Sequence, residues 1–289
     1  MSLTLHYHPL SSFCWKALIG LYELGVPFEK HLVDLSDPTA RAALTRLWPI
    51  SKFPVLRDEA RDRTVPESTI LLEYVDRQSD GPRRLIPQDP EQALECRLRD
   101  RLYDAYIHAP MQNIVGDRLR TEAARDPLGV EQARARMETA YAIADEQVRG
   151  GPWAMGAEFT LADCAAMPAL YYGEKVAPFD GRWNSLTAYL ERLKRRPSVA
   201  RVLEEAEPYF HMFRADRLVG GAHGNVLLVP GRRTAVEKHE RIRGEGRSAV
   251  RGKSWKSNVP SSASKIHSSA SNGRLTASNF ESSAVLFES

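Results

Sequence analysis

Residues 3–14 read LTLHYHPLSSFC, and this stretch places a short strand directly before a helix. Its first five residues alternate apolar and polar side chains, which is the period-two pattern of a β-strand. Ser11 and Ser12 then supply hydroxyls suited to cap a helix, and apolar residues follow at helical spacing as far as Gly25. The stretch predicts a strand, a tight turn and a helix that stops at a glycine.

The next sixty residues continue to alternate strands and helices. A strand is expected over residues 28–33, a helix over 38–47, two short strands over 54–57 and 63–65, and a helix from Ser68 onward. The resulting order is β-α-β-α-β-β-α. Such an order requires a mixed sheet, because the helical crossover pairs its strands in parallel and the hairpin pairs its strands antiparallel.

A proline-rich linker precedes a purely helical region. Residues 80–90 read DGPRRLIPQDP and carry three prolines. Helical patterns then cover residues 91–122, 129–149, 160–174, 182–195 and 198–213. The sequence therefore predicts an α/β domain over 1–80, a linker over 81–90 and an all-helical bundle over 91–216.

The last part of the chain, residues 217–289, differs from the rest in charge and composition. Residues 218–289 hold eleven basic and five acidic side chains, a balance of +6 in a chain whose total is +3, which leaves −3 for residues 1–217. Serine is frequent and apolar periodicity is lost, so a disordered, functionally inert tail is expected. Because the body is mildly acidic, nucleic-acid binding is not expected.

The composition indicates a cytoplasmic protein without metal. No apolar run reaches the length of a membrane span, and the first twenty residues have no basic segment before an apolar one. The three cysteines are widely spaced and form no Cys-x-x-Cys pair. His6 and His8 have no third ligand nearby in sequence, so neither a zinc site nor a disulfide framework is expected.

The amino end of the first helix is a candidate site for an anion. Unpaired N–H groups and the helix dipole favour negative charge there, and a hydroxyl from Ser11 or Ser12 can donate one more hydrogen bond. A thiolate is one such anion, because a thiol needs only one or two units of pKa depression to ionise at neutral pH. The alternative is that the serines only cap the helix.

Two further segments suit a peptide-like ligand. Pro54 precedes a short strand and can adopt a cis bond that turns a backbone edge outward, where an extended ligand can pair with it. Glu67 and Ser68 open the next helix, where an acid can hold an ammonium group and a hydroxyl with an N–H can hold a carboxylate. An ordinary helix cap explains the second segment equally well.

Taken in order, these motifs resemble the glutathione transferase superfamily over residues 3–213. A serine-serine-x-cysteine turn, an x-Pro-Val-Leu strand and a Glu-Ser helix start follow one another at the family's spacing. Residues 159–163, FTLAD, are similar to that family's buried capping box. The resemblance implies a thioredoxin-like first domain, a helical second domain and a homodimer.

The resemblance also implies roles for individual residues. Ser11 matches the hydroxyl that donates to the glutathione thiolate, with Ser12 as the second candidate and Tyr7 as the third. The glutathione site comprises Lys52 for the glycyl carboxylate, Phe53 and cis Pro54 for the cysteinyl unit, and Glu67 and Ser68 for the γ-glutamyl end. Candidates for the pocket of a small, mostly apolar electrophile are Leu10, Phe13, Tyr103, Tyr106 and Met111, and Cys14 is expected to be a buried apolar residue.

The expected activity is attack of the glutathione thiolate on that electrophile, with glutathione as co-substrate. One alternative is a binding or scaffold protein of the same fold without catalysis. The other is a specialised glutathione-dependent isomerase, dehalogenase or peroxidase, which differs only in its second substrate.

Overall fold

The computed structural model describes residues 2–34 and 36–212. Its first part contains the predicted elements in the predicted order. The strands are β1 (Leu3–Tyr7), β2 (Glu29–Leu32), β3 (Val55–Asp58) and β4 (Arg63–Pro66). The helices are α1 (Ser12–Leu24), α2 (Pro38–Leu47) and α3 (Ser68–Asp76). Gly25 ends α1 with a φ of 65°, a left-handed conformation that glycine adopts without steric cost.

The four strands form a mixed sheet in the order β2-β1-β3-β4. β1 is parallel to β2 and antiparallel to β3, and β3 is antiparallel to β4, which confirms the predicted pairing. The register places His6, Val55 and Pro66 side by side. The segments that follow β1, precede β3 and follow β4 therefore emerge at one edge of the sheet.

The second part is helical. It consists of α4 (Pro90–Arg101), α5 (Ala109–Leu119), α6 (Pro127–Gln147), α7 (Leu161–Val176), α8 (Asn184–Lys194), α9 (Pro197–Ala206) and a 3-10 segment, Glu207–Met212. The thioredoxin-like first domain and the helical second domain are both confirmed. The disordered tail predicted for residues 217–289 lies outside the described residues.

The helical pattern predicted over residues 91–122 corresponds to helical structure from Pro90 to Leu119, which is not one uniform α-helix. A π-helical segment, Leu102–His108, separates α4 from α5. Pro110 follows it, and proline has no N–H to donate and clashes with the carbonyl four residues earlier. Widening the preceding turns accommodates that proline, and the wide segment brings Asp104 and His108 against α1.

α1 joins the two domains through one continuous apolar core. The Trp15 ring lies 5.0 Å from the rings of both Tyr171 and Tyr172 of α7. The Trp15 indole donates to the carbonyl of Pro9 at 2.6 Å, and the Tyr172 hydroxyl donates to the carbonyl of Leu10 at 3.1 Å. These contacts fix the turn that leads from β1 into α1.

The predicted capping box at the start of α7 is present. The backbone N–H of Thr160 donates to the Asp163 carboxylate at 2.8 Å, and that carboxylate also accepts from the Tyr189 hydroxyl at 2.6 Å. The N–H of Leu161 donates to the carbonyl of Leu85 at 2.8 Å, which ties α7 to the segment between the domains. In the described residues, no helix has the length and apolar character needed to span a bilayer.

Candidate functional site

The amino end of α1 is built by Ser11. Its backbone is extended (φ −74°, ψ 123°), and its buried hydroxyl accepts a hydrogen bond from the N–H of Cys14 at 3.3 Å. Ser11 is thus the N-cap of α1, which is the simpler of the two interpretations of this serine from the sequence. The remaining N–H groups of the first turn, and the positive end of the helix dipole, lie beside it.

Ser12, the first residue of α1, is paired with a histidine from the second domain. Its Oγ lies 2.5 Å from Nε2 of His108, at the end of the π-helical segment. Burial, and after it the charge of Lys16, lowers the pKa of His108 to about 3, so the ring is neutral at physiological pH. The Nδ1 atom of that ring has no hydrogen-bond partner among the described residues.

The unpaired Nδ1 atom of His108 favours one direction for the Ser12–His108 hydrogen bond. A buried N–H without an acceptor is rarer in proteins than a buried acceptor without a donor. We therefore assign the proton of His108 to Nε2, which donates to the Ser12 oxygen. In this arrangement the hydroxyl proton of Ser12 is available to a further acceptor, such as an anion at the start of α1.

His108 was not identified from the sequence. It lies 96 residues from Ser12, inside a run of helical periodicity, and no local motif marks it. The only nearby signal is Pro110, which disturbs the helix immediately after the histidine.

The Cys14 thiol and the Tyr7 hydroxyl also lie near this turn. Cys14 is fully buried, and burial raises the pKa of its thiol to about 12, so the residue is a small apolar side chain, as expected. Tyr7 is half-buried, and burial followed by the charge of Glu205 raises the pKa of its phenol. Its hydroxyl remains protonated at neutral pH.

The residues predicted to form an electrophile pocket do not all lie at the surface. Phe13 is half-buried and stacks on the His108 ring with centroids 4.0 Å apart, and Leu10 is buried in the turn beside it. Tyr103 is 0% exposed, and its assignment to an open pocket is wrong, because the π-helical segment turns it into the core. Met111 is buried in the same core, whereas Tyr106 is 58% exposed.

The segment before β3 has the geometry expected of a backbone edge. The Phe53–Pro54 peptide bond is cis. The Phe53 ring is buried and stacks on His8, with centroids 6.0 Å apart. Among the described residues, no hydrogen bond to the Phe53 backbone is formed, and Lys52 is exposed next to it.

Glu67 stands before α3 in an uncommon conformation. Its φ of 68° is left-handed, and holding a non-glycine residue there costs on the order of 1–3 kcal/mol, a kind of strain that concentrates at ligand sites. The side chain is exposed, and Ser68, the first residue of α3, is buried beside it. The shared register of β1, β3 and β4 brings these residues to the same sheet edge as Phe53 and the start of α1.

A buried charge cluster lies where α1, α3, α4 and the π-helical segment meet. The Lys16 ammonium of α1 forms an ion pair with Asp100 at 2.6 Å, and it donates to Asp104 at 2.6 Å and to the Thr69 hydroxyl at 2.7 Å. Thr69 also donates to Asp100 at 3.0 Å. The cluster thereby ties the first turn of α3 to α1, α4 and the π-helical segment.

Comparison with known families agrees with both domains. Residues 5–83 match the model of the glutathione S-transferase N-terminal domain, and residues 103–197 match that of the glutathione S-transferase C-terminal domain. A glutathione S-transferase of Pseudomonas putida is 28% identical over 211 residues, covering 71% of this chain and 93% of the relative. A dichloromethane dehalogenase of Methylorubrum extorquens is 28% identical, covering 70% and 75%.

A relative with another name and a solved structure also resemble this chain. A stringent starvation protein A homolog of Coxiella burnetii is 29% identical, covering 71% of this chain and 93% of the relative. The solved glutathione S-transferase of Methylobacterium radiotolerans, in complex with glutathione sulfonate, superposes with a TM-score of 0.60 at 25% identity, covering 79% and 100%. Since both domains match in order, the chain belongs to the cytosolic glutathione S-transferase superfamily.

Proposed function

We propose that the chain is an active glutathione S-transferase that holds the sulfur of glutathione as a thiolate at the start of α1. The observation that carries this proposal is the buried Ser12–His108 pair, with Oγ and Nε2 2.5 Å apart. A neutral histidine that donates to Ser12 leaves the serine proton to donate to the sulfur. The helix dipole and the N–H groups of the first turn add further stabilisation of the anion.

In this mechanism His108 is a positioning residue and not the base. Moving a proton from a thiol of pKa about 8.5 to a histidine of pKa about 3 costs on the order of 7 kcal/mol. The thiol proton therefore leaves to solvent. The thiolate then forms a carbon–sulfur bond with the electrophile, and the leaving group departs with its bonding electrons.

The rest of glutathione extends along the sheet edge. Glu67 holds the γ-glutamyl ammonium, and the Ser68 hydroxyl with the first N–H groups of α3 holds its carboxylate. The Phe53 N–H and carbonyl pair with the cysteinyl unit, and Lys52 reaches the glycyl carboxylate. Support comes from the unpaired Phe53 backbone and the left-handed Glu67.

The electrophile binds against Leu10, Phe13 and Tyr106. The reaction takes place in the cytoplasm. The relative named dichloromethane dehalogenase supports a second candidate, glutathione-dependent dehalogenation, in which the same thiolate displaces halide. The relative named stringent starvation protein A homolog supports a non-catalytic alternative. The Ser12–His108 pair favours catalysis, because a scaffold has no need of a buried hydroxyl with a free proton.

Calorimetric titration of glutathione into the full chain tests the site. We expect a dissociation constant between about 1 μM and 1 mM, and at least about tenfold weaker binding by the Glu67→Gln, Ser68→Ala variant because charge-assisted hydrogen bonds are lost. Glu122→Gln serves as the control, because Glu122 is an exposed acid of the 3-10 segment Glu122–Ala124 in the second domain. This variant is expected to bind glutathione like the wild type. A folded wild-type chain that does not bind glutathione supports the scaffold alternative instead.

We also propose that the protein is a homodimer joined through the exposed faces of α3 and α4. Leu94 and Leu98 lie one turn apart on α4 and are 62% and 60% exposed, and Ile70 of α3 is 53% exposed. The two helices are held side by side by the Glu73–Arg97 ion pair at 2.8 Å. These apolar side chains form a patch that a second copy of the chain covers.

Light scattering after size-exclusion chromatography tests the dimer. The Leu94→Glu, Leu98→Glu variant is expected to elute as a monomer. Dimerisation would bury two carboxylates per chain without partners, and the desolvation free energy of these charges opposes association. Leu128→Glu, at an equally exposed leucine of α6, should remain a dimer. A wild-type monomer, or a dimer that survives both leucine substitutions, contradicts the assignment.

A further inference from the structure

The first two strands carry a pair of histidines that the proposed glutathione site does not use. In the sequence His6 stands two residues before His8, but the structure separates these two side chains. His8 follows the end of β1, and its Nδ1 accepts a hydrogen bond from the N–H of Leu10 at 3.2 Å. His6 instead lies opposite His31, its register partner on β2, with the two ring centroids 4.7 Å apart. The pair is a product of the parallel pairing of β1 with β2 and not of the local sequence.

The histidine pair lies on the face of the sheet that is turned away from the main apolar core. Leu3 and Leu5 of β1 are buried in that core, and successive side chains of a strand point to opposite faces. His6 is therefore directed to the other face, where it is half-buried, and His31 is exposed beside it. Because β2 is an edge strand of the sheet, the pair is accessible to a dissolved ion.

The nitrogens of both rings are available as ligands. Neither imidazole has a hydrogen-bond partner among the described residues. Burial, and after it the charge of His31, lowers the pKa of His6, so this ring is neutral at physiological pH. A metal ion binds the neutral form of imidazole, and His6 therefore offers a lone pair without first losing a proton.

The separation of the two rings suits binding of both to one ion. A metal lies about 2.1 Å from a ligating imidazole nitrogen and hence about 3.2 Å from the ring centroid. Two centroids 4.7 Å apart then correspond to an angle of about 95° between the two ligands at the ion. This angle is close to the ~90° between neighbouring ligands of a tetragonal Cu²⁺ or Ni²⁺ ion.

The charges on this face of the sheet favour a cation. Glu29 lies on the same face of β2 as the histidine of that strand. Arg57 of β3 is already paired with two carboxylates, those of Glu59 and Asp62. The charge of Glu59 also acts on His6 in the direction that favours positive charge there. These carboxylates outnumber the guanidinium and attract a divalent cation.

We propose that His6 and His31 bind one divalent transition-metal ion, with Cu²⁺ favoured over Zn²⁺. The described residues contain no group of three or more histidine, cysteine or acidic side chains suited to a metal, so water completes the coordination. Zinc sites in proteins usually have three or four protein ligands, whereas Cu²⁺ has the highest affinity among the divalent first-row metals for a given set of nitrogen ligands. Because the ion joins β1 to β2, its binding stabilises the folded chain.

The probe is Cu²⁺, titrated by calorimetry into the full chain at neutral pH. The buffer contains no glutathione, because a thiol itself binds the ion. We expect one tight equivalent per chain. His6→Gln and His31→Gln should each weaken its binding at least about tenfold, because a single imidazole loses the advantage of simultaneous attachment. Electron paramagnetic resonance at equimolar Cu²⁺ should show nitrogen couplings from two imidazoles in the wild type and from one fewer in each variant.

His211→Gln is the matched control, because His211 is an exposed histidine of the 3-10 segment that ends the second domain. It should bind Cu²⁺ like the wild type. The same is expected when the remaining histidines beyond that segment, His223, His239 and His267, are replaced by glutamine. The inference is overturned if the wild type binds no Cu²⁺, or if either strand variant, shown to be folded by circular dichroism, binds it unchanged. Loss of the tight equivalent in a control variant overturns it as well.

Discussion

Replacing Ser12 by alanine is expected to lower kcat/KM for glutathione conjugation about 10²–10³-fold, the usual cost of one hydrogen-bond donor to a reacting anion. The Ser12 oxygen lies 2.5 Å from Nε2 of His108, and in the tautomer that we assign, the Ser12 hydroxyl donates its proton to the sulfur. Ser11→Ala should change kcat/KM far less and lower the free energy of unfolding by about 1 kcal/mol, because Ser11 caps α1. Steady-state kinetics with a model electrophile measures both.

The pH profile separates thiolate stabilisation from a purely structural effect. The pKa seen in kcat/KM is that of the bound thiol, and Ser12→Ala should raise it because the thiolate loses a donor. His108→Ala should raise it in the same direction, and His108→Gln, which retains an N–H donor, should restore part of the loss. Wild-type activity should show no inflection from His108 between pH 5 and 8, since the pKa of that ring is about 3.

Two controls accompany this series. Cys14→Ala should leave the pH profile in place, because the Cys14 thiol is buried with a pKa of about 12. Tyr7→Phe should likewise keep the thiol pKa. A loss in Ser11→Ala or Tyr7→Phe as large as that in Ser12→Ala would reassign the activating hydroxyl.

Replacing Lys16 by methionine is expected to lower the free energy of unfolding by about 3–5 kcal/mol, the cost of leaving buried charges without a partner. The Lys16 side chain is fully buried, and its ammonium lies 2.6 Å from Asp100 and 2.6 Å from Asp104. Arg101 also reaches both carboxylates, but its side chain is half-exposed and compensates only in part. Urea denaturation followed by circular dichroism measures the change.

The matched control is Lys30→Met. Lys30 pairs with Glu205 at 2.8 Å in a partly exposed position, so its loss should cost less than about 1 kcal/mol. Adding Asp100→Asn and Asp104→Asn to Lys16→Met removes the uncompensated charges and should recover much of the stability. A Lys16→Met variant as stable as the wild type would show that the cluster contributes nothing to folding.

The pH dependence of the Lys16 contribution has a defined sign. Its carboxylate partners raise the pKa of Lys16 above the usual value of 10.5, although burial acts in the opposite direction. A group whose folded-state pKa is raised stabilises the protein fully below its unfolded pKa and loses that effect as pH rises through the folded pKa. The difference between wild type and Lys16→Met is therefore expected to be constant from pH 6 to 9 and to shrink above the unfolded pKa.

Local sequence determined most of the first domain. The period-two pattern before Pro9, the serines that cap α1 and the glycine that ends it are adjacent in the chain, and each acts through short-range backbone preferences. The capping box of residues 160–163 was predictable for the same reason, since both its partners lie within one helical turn.

Tertiary structure decided which partners the two serine hydroxyls at the start of α1 have. The sequence ranked Ser11 first, but only packing reveals that Ser12 meets His108 across 96 residues and that Ser11 serves as the cap. The same holds for Tyr103, whose burial follows from the π-helical segment, and for Lys16 with its two aspartates. Periodicity and caps depend on neighbours in the chain, whereas these contacts depend on how α1 packs against the second domain, which no short stretch of sequence encodes.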